Sequence, residues 1–182
     1  MEEDNLILEE FNVEDNNDNS SFHIDRYVAD NNNALKKSLE QRSIIAHKDE
    51  IVSSNEIQNI IGVTDIDNSY AILFYDRKNN YGIACNTNSD NKVEMLKEMI
   101  NKLGNEKLII EYSIIVGYQL VEQNDYSGYN DLLYYLEVYS PNNIDFIPNN
   151  TEIKPKKCKN KNAYEFAFDL VNSTIVSDDL FD

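Results

Sequence analysis

Apolar residues are clustered in the middle of this chain and sparse at its ends, and that distribution predicts most of its elements. Residues 1–21 are rich in Asp, Glu and Asn, with Leu6-Ile7-Leu8 and Phe11 as the apolar anchors, a composition that predicts a disordered acidic arm. Asn31-Asn32-Asn33 offers helix caps, and Leu35 and Leu39 then fall on one face of a predicted helix over residues 34–42. Ile44-Ile45 and Ile51-Val52 predict two short strands. The unbroken run Tyr70–Tyr75 predicts a strand buried on both faces. Asp76–Asn80 is turn chemistry, and Tyr81–Cys85 is a return strand, so the pair forms a hairpin. Ser89 or Asp90 caps the next helix, which carries Leu96, Met99, Ile100 and Leu103 at helical spacing before the stop at Gly104.

A strand over Leu108–Val116 ends at Gly117, and an amphipathic helix over residues 129–139 turns Leu132, Leu133 and Leu136 inward. Residues 141–162 are loop-like around a short Ile144–Ile147 strand. Tyr164–Leu170 alternates strictly, which predicts a half-exposed strand. Together these elements predict an α/β (α+β) fold: a mixed central β-sheet of five or six strands with two or three helices packed on it. The expected organisation is an arm over 1–21, a single domain over 22–176 and an acidic tail over 177–182.

Charge narrows the partners. Among 182 residues, 33 Asp and Glu oppose 16 Lys and Arg, a formal net charge of −17. Phosphate neutralisation supplies much of the affinity of nucleic-acid binders, and this surface repels phosphates. The same argument opposes anionic membranes, and no apolar run reaches the roughly 20 residues that span a bilayer. The expected partner is a protein or peptide, preferably basic. The local run Lys154–Lys161, with Lys156, Lys157 and Lys159 as its candidate binding residues, opposes the prevailing charge and reads as a contact loop or a solvated one. Two cysteines and an opening stretch without the features of a secretory signal predict a cytoplasmic protein, or one delivered into a host cytosol without a classical signal peptide.

Candidate chemistry is thin. His23 and His47 lie far in sequence from Cys85 and Cys158, which supplies no zinc spacing. Asp65-Ile66-Asp67-Asn68-Ser69 resembles the start of a calcium loop, but Tyr70 stands where glycine is needed. Five glycines build no phosphate-binding loop. No metal and no cofactor are expected. Cys85 is the interesting thiol, just upstream of a helix start, although no cationic or imidazole neighbour shares its strand.

The stretch Gly62–Ser69, Tyr70–Asp76, Tyr81–Asn86, Ser89–Glu94 and Ile114–Tyr118 resembles the CheD-like deamidases and the eukaryotic-type protein N-terminal asparagine amidohydrolases. The resemblance covers roughly residues 50–120, with the 163–176 strand as an extension. It implies a thiol–imidazole pair that attacks a side-chain amide and releases ammonia. In this alignment Ser69 occupies the cysteine position and Asn86 the histidine position, and Tyr118 replaces a glycine. A serine with no imidazole is a poor nucleophile at neutral pH. Three explanations follow: a binding protein that kept the fold, a nucleophile role taken over by Cys85 with His47 as a remote base, or a Ser69 that itself substitutes for cysteine. The leading expectation is a degenerate amidohydrolase-like domain that binds protein, of immunity, adaptor or effector type. The alternative is an active deamidase using Cys85 or Ser69.

Overall fold

A computed structural model describes residues 20–149 and 151–181, with side chains from Val28 onward. The chain divides into two compact units, one ending at Leu35 and one running from Lys36. The boundary falls inside helix α1 (Ser20–Gln41), so the start of the main unit lies later than the expected 22. Asn31-Asn32-Asn33 sits within that helix and caps nothing. The arm expected at 1–21 lies outside the described residues except for Ser20 and Ser21, which open α1.

The main unit is a mixed α+β fold with two sheets where one was expected. Sheet A holds β1 (Ser43–Ala46), β3 (Ile60–Ile66), β9 (Tyr164–Asp169) and β10 (Thr174–Ile175) in that order, with β8 (Lys156–Lys157) also on β9. Sheet B holds β2 (Glu50–Ser53), β5 (Tyr81–Thr87), β4 (Tyr70–Asp76), β6 (Leu108–Val116) and β7 (Ile144–Pro148). Two pairings are parallel, β1 with β3 and β6 with β7; the rest are antiparallel.

Three apolar clusters separate the layers. Ile61, Val63, Phe166 and Phe168 of sheet A meet Ala71, Leu73, Tyr75 and Ala84 of sheet B between the sheets. On its other face, sheet B presents Ile72, Phe74, Ile83 and Cys85. These pack against α2 (Lys92–Lys102) through Leu96 and Met99, and against α4 (Ser127–Val138) through Leu132 and Leu136. The short α3 (Tyr118–Glu122) adds Leu120. The outer face of sheet A is covered by Leu39 near the end of α1 and Leu180 of α5 (Ser177–Phe181), around Ile60 and Ala167. The alternation of strands β4 and β5 thus serves two cores, which is why the Tyr70–Tyr75 run is apolar at every position.

Three expectations change. α2 begins at Lys92 behind Asn91 rather than at a Ser89 or Asp90 cap, because Asn88 Oδ1 already accepts the Asp90 and Asn91 N–H groups. β9 is buried on both faces from Phe166 to Asp169 instead of half-exposed. The acidic end expected as a tail over 177–182 folds as α5 through residue 181. Ser177 Oγ accepts the Ala167 N–H at 2.8 Å and Leu180 is buried, so this segment belongs to the domain.

Candidate functional site

The polar end of the sandwich is built where β3 runs into β4. β3 carries a bulge between Val63 and Ile66, and Asp65 there takes a left-handed φ of 58°. A bulge withdraws main-chain groups from the ladder and re-aims them. Asn86, near the end of β5, answers this: its Nδ2 donates to the carbonyls of Thr64 (2.8 Å) and Asp65 (3.2 Å). Asp65 is also tied to the lysine loop, with Lys161 Nζ 2.6 Å from Oδ1. Asn86 is therefore a clamp on the bulge, committed through its amide nitrogen, with its buried Oδ1 lacking a partner among the described residues.

Ser69 enters the same end one residue ahead of β4. Its backbone carbonyl accepts the Gly117 N–H at 2.8 Å, and Asp67 O accepts the Gln119 N–H at 3.0 Å. Gly117 is required here by contact: a Cβ at that position would lie 2.2 Å from Asp67 O and 2.6 Å from Ser69 O. The Ser69 hydroxyl is fully buried, and it has no hydrogen-bond partner among the described residues; the same holds for Asp67 Oδ1. The register pairs Tyr70 with Thr87 and Ala71 with Asn86, so Ser69 and Asn86 belong to one end of the hairpin.

Cys85 is not part of that end. Neighbours on a strand point to opposite faces, and Cys85 turns into the core beneath α2 with Leu96 and Met99 while Asn86 turns to β3. Burial pushes the Cys85 thiol up to about 12, so it is protonated and unreactive at neutral pH. His47, its candidate base, is exposed; its backbone N–H is held by Glu50 Oε2 at 2.9 Å. The side chain of His23 falls outside the described residues. The pairing of Cys85 with His47 is thus not formed.

The lysine run is a structured strand-and-turn rather than the loop expected over 141–162. Lys156 pairs with Glu165 and Lys157 with Tyr164 in the β8–β9 ladder. Lys156 Nζ lies 3.4 Å from Asp178 of α5. Lys157 donates to Tyr118 Oη at 3.0 Å and also sits over that ring, whose edge meets Tyr164. Lys159 is exposed on the turn that follows. Cys158 is buried beside this turn, and burial with the nearby Glu165 carboxylate raises it to about 11. The structure thus brings Lys161, Asp65 and Asn86 into one chain of contacts, joining two groups of candidates that are far apart in sequence. Thr64, Asp65 and Asp67 were missing from the sequence-based site. The signal for them was the Gly62–Ser69 stretch, which was weighed for calcium and for the family resemblance and yielded only Ser69 as a site residue.

No protein-family model matches this chain, and no curated protein matches it. Among the described residues no group of three His, Cys, Asp or Glu side chains is placed to hold a metal ion. No helix among them is long and apolar enough to cross a membrane.

Chemically, this end can hold backbone in an irregular shape. Catalysis of amide hydrolysis needs a base within hydrogen-bond reach of the nucleophile, and among the described residues the Ser69 hydroxyl has no hydrogen-bond partner.

Proposed function

We propose that this chain is an acidic protein-binding module, of immunity, adaptor or effector type, on an amidohydrolase-like framework whose nucleophile and base positions are degenerate. The observation that carries the reading is the state of the three candidate residues. Ser69 has a sealed hydroxyl without a base, Asn86 spends its amide on the β3 bulge, and Cys85 is a core thiol facing away from both. The net charge of −17 adds a field that draws basic partners and disfavours phosphate backbones. Lys156, Lys157 and Lys159 then act as a local feature of the binding surface, with Lys157 held in place by Tyr118.

The test is a paired one. Wild-type protein and Ser69→Ala are incubated with asparagine- and glutamine-bearing peptides while free ammonia is measured. Release at the level of a boiled control is the expected result. In parallel, the protein is immobilised and basic partners are captured across a salt series, with retention expected to fall steeply as ionic strength rises. Ammonia release that disappears in Ser69→Ala or in Cys85→Ala would replace this reading with the deamidase one.

A further inference from the structure

We infer that the open edge of β7 is the docking site for an extended segment of the partner protein, apolar in alternation and carrying Lys or Arg. The inference rests on the binding reading above and names the surface and the chemistry that satisfy it. Among the described residues β7 is the terminal strand of sheet B and pairs with β6 alone. Leu108 N donates to Asn143 O, and Asn149 N donates to Tyr112 O. Main-chain groups alternate in direction along a strand, so the odd-numbered residues of β7 face β6 and the even-numbered ones face away. Phe146 therefore offers its N–H and C=O outward, with the carbonyls of Ile144 and Pro148 on either side. An edge of this kind accepts an added strand through main-chain bonds, and side-chain pockets give the selectivity.

Apolar side chains flank the edge on both faces. On the helix face, Tyr112, Leu133, Leu136 and Phe146 line a groove of about 250 Å³. On the opposite face, Ile109 and Ile147 are 61% and 38% exposed, far from what single core positions show. Soluble chains seldom leave several large apolar side chains beside an unpaired edge without a partner to cover them.

The charge around the edge selects among occupants. Glu137 flanks the first groove, and Glu106 and Asp145 line a second cavity of about 460 Å³ that includes Ile109, Lys78 and Lys107. A second copy would bring another net −17 against this edge and Asp145 against its own kind, so a basic strand is favoured over self-pairing.

The probe is a fluorescein-labelled ten-residue peptide of alternating valine and lysine, with an analogue N-methylated at alternate residues to remove its edge donors. Binding to the whole chain is read by anisotropy, and the site by amide shifts in two-dimensional NMR. Expected are shifts confined to residues 108–112, 133–137 and 144–149, and at least tenfold weaker binding for the N-methylated peptide. Ile109→Lys and Ile147→Lys, both at exposed positions, are expected to weaken binding by tenfold or more each. Shifts elsewhere on the chain, or equal affinity for the N-methylated peptide, overturn this site while leaving the binding reading intact. Sedimentation that shows a dimer with the same shifts overturns the choice of occupant. Peptide binding absent at every salt concentration, together with ammonia release in the previous assay, overturns the binding reading itself.

Discussion

The two ends of the sandwich treat their buried polar groups differently. At one end, the β4–β5 and β9–β10 turns have the same build. Asp76 accepts the N–H groups of Lys78 and Asn79 on Oδ1 and the Asn79 side chain on Oδ2. Asp169 accepts Val171, Asn172 and the Asn172 side chain in the same pattern. Asn80 and Ser173 then close the turns at φ 50° and 54°. Tyr75 Oη joins them, donating to Leu170 O at 2.7 Å with Ser173 Oγ at 2.8 Å, and Arg77 grips Glu111 with two bonds of 2.6 and 2.9 Å. At the other end, Asp67 Oδ1, Ser69 Oγ and Asn86 Oδ1 are buried and have no hydrogen-bond partner among the described residues. Buried polar groups are nearly always paired; the first end meets that rule with its own side chains, and the second does not among the described residues.

Substitutions can break this contrast in order of size. Asp169→Ala removes three turn bonds and the Arg42 contact at 3.1 Å, and about 3 kcal/mol of unfolding free energy should be lost. Urea denaturation reads it, and a loss under 1 kcal/mol would show that these bonds do not fasten this end. Asn86→Ala should cost about 2 kcal/mol, because the carbonyls of Thr64 and Asp65 lose their donor. Hydrogen exchange should then quicken at residues 64–67 before it does at β4.

Acid should weaken the first end through Asp169. Burial alone would raise this carboxyl, but the Asn172 and Val171 bonds and the Arg42 charge outweigh it and hold it below its ordinary value. A depressed folded value means the stabilisation is complete above the unfolded carboxylate value of about 4 and is lost as pH falls through the folded one. Asp169→Asn should therefore lie below wild type at pH 7 and converge on it as pH falls below the ordinary carboxylate range and the Asp169 carboxyl takes up its proton. Parallel stability curves would remove Asp169 from the acid limb. The smallest effect belongs to Ser69→Ala, which deletes an unpartnered hydroxyl and should change stability by less than about 0.5 kcal/mol. A loss above about 1.5 kcal/mol would mean the hydroxyl is bonded.

Much of the fold was written locally. The all-apolar Tyr70–Tyr75 run, the Asp76–Asn80 turn, the Leu96/Met99/Ile100 stripe and the Leu108–Val116 strand each carry their own periodicity, and each stands where expected. Less legible were features decided by distant contacts. Ala167 and Asp169 look like solvent positions in an alternating strand, but α5 covers the first and the turn bonds satisfy the second. Asn31–Asn33 carries strong capping propensity, yet α1 continues through it. The existence of two sheets depends on β3 choosing β9, a pairing no local pattern announces. Within the candidate site, parity alone was enough to separate Cys85 from Asn86 once both were placed on one strand. The use of Asn86 as a bulge clamp was not legible, because the bulge lies twenty residues upstream.

The β3–β9 pairing also sets a timetable for synthesis. Sheet B closes from residues 50–148, so it can assemble while the rest of the chain is still being made. β3 must wait roughly a hundred residues for its antiparallel neighbour, since non-local strand pairs carry the larger loop-closure cost. Until residues 164–175 emerge from the ribosome, Ala71, Leu73 and Tyr75 lack the cover that Phe166 and Phe168 supply. A nascent chain stalled before residue 164 should be the sticky species in the life of this protein, held soluble by chaperones until its last strands arrive.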